Sequence, residues 1–285
     1  MPAEAAPAAA PDPTPAPTPA ATPAVTPAPT DTPVPAVDAP WYAERNELIR
    51  RMIRQYRPEW SEERIDEELR LMYIDPDRPM VALTFDDGPV PGVTDGILDV
   101  LERYHVRATF FVCGWRFGDE RVRQLARRAV ALGCELGNHS YYHENMQEEN
   151  IVAKRQSVQR TNQLIYEAAA YEARVLRPPG GRSDWDLQRV AREENMAVIL
   201  WTQSGNVHET DPGKIAQNVE KQIVDGDVLC DGDIILLHDT KTYMVDAVEI
   251  IVPRLLEQGY QLVTVWELIN CSEEGFVSGE RYDCQ

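Results

Sequence analysis

The chain is predicted to fold as an α/β protein: a barrel of about seven parallel strands covered by helices, preceded by a disordered tail and a short helical segment. Two observations predict this. Beyond Pro79, short and nearly continuous apolar runs alternate with longer stretches of helical periodicity, the pattern of strands buried on both faces. Seven such units fit between residues 81 and 265, which suits closure into a barrel better than an open sheet. In either architecture, chemistry belongs at the C-terminal ends of the strands.

Residues 1–40 hold 13 of the 22 prolines and are otherwise mostly Ala and Thr, with four acids and no base. Such a segment cannot bury enough apolar surface to offset its ordering entropy, so it reads as a disordered linker. Its composition matches the extended linkers that hold surface proteins away from a cell-wall anchor, although no charged and then apolar leader follows Met1. Export, to an extracellular or cell-wall location, is the favoured reading. The rest of the chain, 245 residues, is enough for one large domain with a sizeable core.

Charge excludes some partners. With 28 basic and 47 acidic side chains the formal net charge is −19, and the excess persists without the linker, where 43 acids face 28 bases. Nucleic acid and anionic membrane are poor candidates for such a surface. No apolar run is long enough to span a bilayer, and nothing points beyond a monomer.

Residues 41–77 form a helical preface, with Leu48, Ile49, Met52, Ile53 and Tyr56 at helical spacing and Ser61 capping a second segment. The main domain is assigned to 78–270. Its strands are expected at Val81–Phe85, Ala108–Cys113, Cys134–Gly137, Arg174–Leu176, Ala197–Trp201, Ile234–Leu237 and Leu262–Val265. Helices are expected between them at Val93–Tyr104, Arg121–Leu132, Ile151–Ala169, Leu187–Glu194, Ile215–Val224 and Val245–Gln258. Residues 271–285 read as a polar tail. Export would permit a disulfide between Cys271 and Cys284; Cys113 reads as a small buried hydrophobe.

The strand ends carry an unusual set of groups. The first run is followed by Asp86-Asp87-Gly88-Pro89, the third by His139-Ser140-Tyr141-Tyr142-His143, the fourth by Arg177-Pro178-Pro179-Gly180-Gly181, and the sixth by His238-Asp239. Each has a bland reading: Asp-Gly-Pro is turn chemistry, a histidine pair can be solvated, and an Arg before prolines is usually a surface ion pair. The conjunction is harder to dismiss, because independent strands deliver all of them to one end of a sheet. Two imidazoles four apart can face one side of a helical turn, and a carboxylate completes a three-ligand set that leaves positions open for water and substrate. The neighbouring carboxylate can take a proton from the attacking water, Arg177 can keep it ionised, and His238 can return a proton to a leaving group.

These motifs, TFDDGP (Thr84–Pro89), HSYYH (His139–His143), RPPGG (Arg177–Gly181) and LLH (Leu236–His238), resemble in order and spacing those of the polysaccharide deacetylases, carbohydrate esterase family 4. The resemblance covers about residues 78–269. It implies a distorted (β/α) barrel that removes acetyl groups from sugars with one divalent metal ion, zinc first, with cobalt, nickel or manganese as alternatives. It implies Asp87, His139 and His143 as metal ligands, Asp86 as general base, His238 as general acid and Arg177 as the group that tunes Asp86. It also implies a Gly180 N–H as oxyanion donor, Leu236 as a wall for the acetyl methyl group and Trp201 as part of the pocket.

One motif departs from the family pattern. After the fifth strand the family has two acids and a Trp; here the segment is Trp201-Thr202-Gln203-Ser204-Gly205-Asn206-Val207. The acids become Gln203 and Asn206 or, with a one-residue gap, Ser204 and Val207, so neither alignment supplies a carboxylate beside His238; Glu209 and Asp211 lie nearby. Gly180 stands where the family often has an aromatic residue. The expected function is hydrolysis of the acetamide of N-acetylglucosamine units in an acetylated glycan, with peptidoglycan favoured and chitin-type oligomers next. The alternative is a weakly active or inactive glycan-binding protein on the same scaffold.

Overall fold

The computed structural model describes residues 40–205, 209–221, 229–272 and 275–282; the linker before Pro40, Asn206, Val207, the end of the helix expected to reach Val224, and Cys284 lie outside the described residues. Two helices come first, α1 (Pro40–Tyr56) and α2 (Glu62–Leu71). Ser61 caps α2 as its sequence predicts, accepting from the Arg64 N–H. Strands and helices then alternate: β1 (Met80–Asp86), α3 (Thr94–Tyr104), β2 (Thr109–Val112), α4 (Glu120–Ala131), β3 (Glu135–Asn138), α5 (Ile151–Ala169), β4 (Val175–Leu176), α6 (Trp185–Glu193) and β5 (Ala197–Ile199). The series closes with β6 (Gln203–Ser204), α7 (Pro212–Lys221), β7 (Asp233–His238), α8 (Tyr243–Glu257), β8 (Gln261–Leu262), α9 (Val265–Cys271) and β9 (Arg281–Tyr282). Six of the seven predicted strands are present, the seventh is shortened to β8, and β6 and β9 are additions.

Every strand pairing is parallel, in the order β6-β7-β1-β2-β3-β4-β5-β9, with β8 alongside the start of β1. Among the described residues no pairing joins β5 to β6, and the barrel is open there. The segment between them crosses the gap, Leu200 N–H donating to Tyr282 O on one side and Thr202 N–H to Ile234 O on the other.

Strand alternation sorts side chains between two interiors. Val81, Leu83 and Phe85 of β1, Phe110 and Val112 of β2, Leu136 of β3, and Ile235 and Leu237 of β7 belong to the apolar layer under the helices. Full burial of each contributes about 1.5–3 kcal/mol. The intervening residues, among them Thr84, Asp86, Thr109, Phe111 and Leu236, line the inside of the barrel, and this phase aims the site residues inward.

Two expectations need correction. Leu262–Val265 is not one strand: β8 stops at Leu262, and Thr264 begins α9 with a capping box, its hydroxyl accepting from Glu267 N–H and the Glu267 carboxylate accepting from Thr264 N–H. Residues 271–285 are not wholly a tail, because Arg281–Tyr282 adds β9 beside β5. Cys113 is buried as expected, and burial pushes its thiol pKa up.

Candidate metal centre and active site

β1 carries the acidic pair to its C-terminal end. Asp86, the last residue of the strand, is buried, while Asp87 turns away in a left-handed conformation with φ 74°. The register pairs Asp86 with Phe111 of β2 on one side and with His238 of β7 on the other. Asp86, Asp87 and His238 therefore sit at the same end of the adjacent strands β1 and β7.

His139 follows β3 and is 2% exposed; its Nδ1 lies 2.7 Å from Arg177 O, so that nitrogen is the donor and Nε2 faces the acids. Nε2 is 3.4 Å from Asp87 Oδ1 and 3.6 Å from Asp86 Oδ2. His143 Nε2 approaches the same Asp87 Oδ1 to 3.2 Å. Asp87, His139 and His143 form a group whose donor atoms all lie within 4.8 Å of one another. Ligands at zinc's bond lengths on tetrahedral corners are about 3.3 Å apart, so the donor separations fit an ion. Buried Asp87 Oδ1 has no hydrogen-bond partner of its own, a further mark of a ligand position.

The histidine pair does not share a helical turn, contrary to the expectation from its spacing. Residues 139–143 form a loop, and Ser140 (φ 65°) and His143 (φ 60°) are both left-handed, which folds the second imidazole back on the first. The ring centroids are 5.1 Å apart. Glu144 pins this loop, its Oε2 accepting from Ser140 Oγ at 3.0 Å and from Tyr142 N–H at 2.7 Å.

Arg177, fully buried, organises the other side. Its Nη1 donates to Asp86 Oδ1 at 2.8 Å and to Thr84 Oγ1 at 2.6 Å, and its Nη2 donates to Leu200 O at 2.8 Å. The guanidinium lies over the Phe111 ring, 4.1 Å from its centroid. Gly137 makes room for that ring, since a Cβ there would come within 2.5 Å of Phe111 Cδ1. Burial lowers the Arg177 pKa and the Asp86 charge opposes the drop.

The metal-free electrostatics match a site built around charge. Burial pushes Asp87 up, but the close approach of His139 and the charges of His139, His143 and His238 outweigh it and hold the carboxyl below its usual range. For His139, burial favours the neutral ring, yet Asp86 and Asp87 raise its pKa. The influence on Asp87 draws His238 into the same constellation. Leu236, two residues earlier on β7, shares the inward face of His238. Trp201 packs on the Pro-rich turn, 2.9 Å from where a Gly181 Cβ would stand, while the corresponding space at Gly180 is open.

Sequence reasoning gave no role to Arg116, whose Nε donates to Asp87 O, or to Asp239, whose Oδ2 accepts from Thr94 Oγ1 at 2.6 Å. Burial pushes Asp239 up to about 7. No pattern announces Arg116, because its partner is a backbone carbonyl. Of the proposed replacements for the missing acid, Glu209 accepts from the Thr210 and Asp211 N–H groups, and Asp211 caps the start of α7 through Lys214 N–H. A cleft of about 810 Å³ beside the start of β4 involves Trp41, Tyr166 and Trp266 and none of these residues, so cleft size does not locate the chemistry here.

The polysaccharide deacetylase family model matches residues 73–199. A peptidoglycan-N-acetylglucosamine deacetylase of Bacillus cereus is 33% identical over 67% of this chain and 88% of its own length. The chain belongs to the polysaccharide deacetylase family. The peptidoglycan-N-acetylmuramic acid deacetylase PdaC of Bacillus subtilis is 35% identical over 68% of this chain, which spans only about 40% of that relative. The solved structure of PdaC superposes with a TM-score of 0.64 at 33% identity, over 70% of this chain and 95% of that one. A family pseudoenzyme from Bacillus anthracis gives a TM-score of 0.60 at 27% identity, over 73% and 71% of the two chains. The observed parallel barrel is the fold of this family.

Proposed function

We propose that this protein is a metal-dependent deacetylase that hydrolyses the acetamide of N-acetylglucosamine units in a cell-wall glycan, peptidoglycan first and chitin-type oligomers next. One observation carries the reading: a group of three potential metal donors stands beside a buried carboxylate paired with a buried arginine. Asp87, His139 and His143 would hold the ion, zinc on the donor set, with cobalt, nickel or manganese able to replace it. It would polarise the acetyl carbonyl and favour ionisation of the attacking water.

The remaining work falls to the chain itself. Asp86 fixes one oxygen on Arg177 and turns the other toward the donor group, where it takes the proton of the attacking water. His238, its neighbour across the β1–β7 register, delivers a proton to the departing amine. The Gly180 N–H stabilises the oxyanion, and Leu236 and Trp201 wall the acetyl methyl group. The likeness to wall-acting relatives and the Pro/Ala/Thr linker support an extracellular, wall-associated monomer.

Acetate release from peptidoglycan, chitin oligomers and acetylated xylan, by protein loaded with zinc, cobalt or nothing, tests the reading. Metal-dependent release from peptidoglycan is expected, and none from any substrate would sink it. A second reading, a glycan-binding protein without turnover, is favoured by the missing fourth-motif acid and by the pseudoenzyme among the relatives. It predicts glycan binding without acetate.

A further inference from the structure

Asp239 directly follows His238 at the end of β7, and it is fully buried. Nothing in the proposed chemistry uses it. Burying a carboxyl group is unfavourable unless its contacts offset the lost hydration. The contacts of Asp239 run to one short segment, the turn from Asp87 to Thr94 that leaves β1 and carries a candidate metal ligand at its start.

Two of these contacts fix the turn. Asp239 Oδ2 accepts from Thr94 Oγ1 at 2.6 Å, and with its proton committed there, Thr94 Oγ1 accepts from Val90 N–H at 2.7 Å. This relay ties the middle of the turn to the end of β7. The second contact is steric. A Cβ at Gly88 would stand 2.1 Å from each Asp239 carboxylate oxygen. Gly88 is not among the glycines with positive φ, so it is the carboxylate rather than the backbone that excludes a side chain there. The end of β2 holds the same stretch from the other flank: Cys113 N–H donates to Gly88 O at 3.2 Å, and Arg116 Nε donates to Asp87 O. The turn is thus gripped between two strand ends, while the Asp87 carboxylate reaches His139 and His143.

We propose that Asp239 is a positioning residue for the metal centre: by pressing on Gly88 and tethering Thr94 it aims the Asp87 carboxylate at the two imidazoles. The paired register of β1 and β7 ends at Asp86 and His238, and Asp87 has already left the sheet. The Asp239 clamp carries the coupling of the two strands past that point, so the ligand turn and the strand of the proton donor move as one. Groups that orient a ligand from behind commonly change metal affinity by roughly 10–100-fold when removed. This inference rests on the metal-dependent reading for what Asp87 holds, whereas the contact between Gly88 and Asp239 can be tested without metal.

The test compares zinc affinity, the visible spectrum of the cobalt-loaded protein and metal-free melts. Asp239→Ala should weaken zinc binding roughly 10–100-fold and alter the cobalt spectrum. Asp239→Asn, whose carbonyl can still accept from Thr94, should restore most of the affinity. Thr94→Val cuts the tether from its other end and should reproduce the loss, which covers the case of an Asp239→Ala chain that does not fold. Gly88→Ala should lower the metal-free melt and weaken zinc binding. Adding Asp239→Ala to it should reverse part of both effects, because the new methyl group enters the space that the carboxylate leaves. Wild-type zinc affinity and cobalt spectrum in a folded Asp239→Ala or Thr94→Val variant, or losses that simply add in the double variant, overturn the inference. A wild type that binds no zinc defeats the metal-dependent reading instead, and rescue of the metal-free Gly88→Ala melt by Asp239→Ala then still upholds the clamp.

Discussion

Arg177 Nη1 lies 2.8 Å from Asp86 Oδ1, and both side chains are cut off from solvent. Charges buried this deeply stabilise only as a pair, so removing one strands the other. Arg177→Gln should therefore cost about 3–5 kcal/mol in the metal-free protein at neutral pH, read from denaturant melts. Arg177→Lys should fall between, because an ammonium keeps the charge but loses the planar fork that also reaches Thr84 and Leu200. A Gln variant within about 1 kcal/mol of wild type would show that the pair is not needed for stability.

The two imidazoles should separate by stability rather than by metal affinity. Substituting either His139 or His143 by Ala should abolish tight zinc binding. The His139 change should also lower metal-free stability by about 1–3 kcal/mol, since it leaves the buried Arg177 carbonyl without its donor. The His143 side chain is 46% exposed, and its loss should leave the metal-free melt nearly unchanged. Zinc titration with parallel melts checks both, and tight zinc binding in either variant would remove that residue from the ligand set.

The neighbouring carboxylates should divide their labour. Asp87→Asn should lose metal and turnover together. Asp86→Asn should keep the metal and lose roughly 10²–10⁴-fold in kcat, the usual contribution of a positioned base. Matching metal loss in both variants would mean that they ligate jointly.

A second buried acid sets a pH dependence far from the metal. Burial pushes Glu135, at the start of β3, up to about 7, against hydrogen bonds from Thr109 and Trp266. The unfolded chain releases that proton near pH ~4.3, so between about 4.3 and 7 the folded state holds a proton that the unfolded state does not. Stability from this group is complete below that window and declines as pH rises through it. Glu135→Gln should match wild type at pH 5 and exceed it at pH 8 by on the order of 2–4 kcal/mol in chelated samples. Glu267 behaves in the opposite sense: burial opposes, but Arg107 and Arg45 hold it down at about 2, so its contribution fades only as acid is added toward that value. Parallel wild-type and Gln curves across the window would refute the Glu135 argument.

The strands, most helices and the three candidate donors that the fold brings together are legible because each depends on a local pattern: apolar runs for β1 and β7, an Asp pair after a strand, two histidines four apart. What escaped depends on backbone rather than side-chain pattern. β9 joins the sheet through Val198 N–H to Glu280 O and Leu200 N–H to Tyr282 O, while Arg281 stays exposed, so no apolar run marks it. α9 had a readable signal in Thr264 and Glu267, three apart, but the apolar residues before it suggested a continuing strand. The histidine spacing suggests a helical turn, but left-handed Ser140 and His143 bring the two imidazoles together instead.

Those left-handed positions have a consequence for anyone transplanting this centre into another barrel. Asp87, Ser140 and His143 each sit where a side chain is disfavoured by about 1 kcal/mol or more. A graft that copies only the carboxylate and the two imidazoles onto relaxed loops will aim them apart. The transferable unit is the pair of bent loops together with their fastenings, Arg116 on the Asp87 carbonyl and Glu144 under Tyr142, and a scaffold unable to carry those clasps will not bring the three candidate donors together.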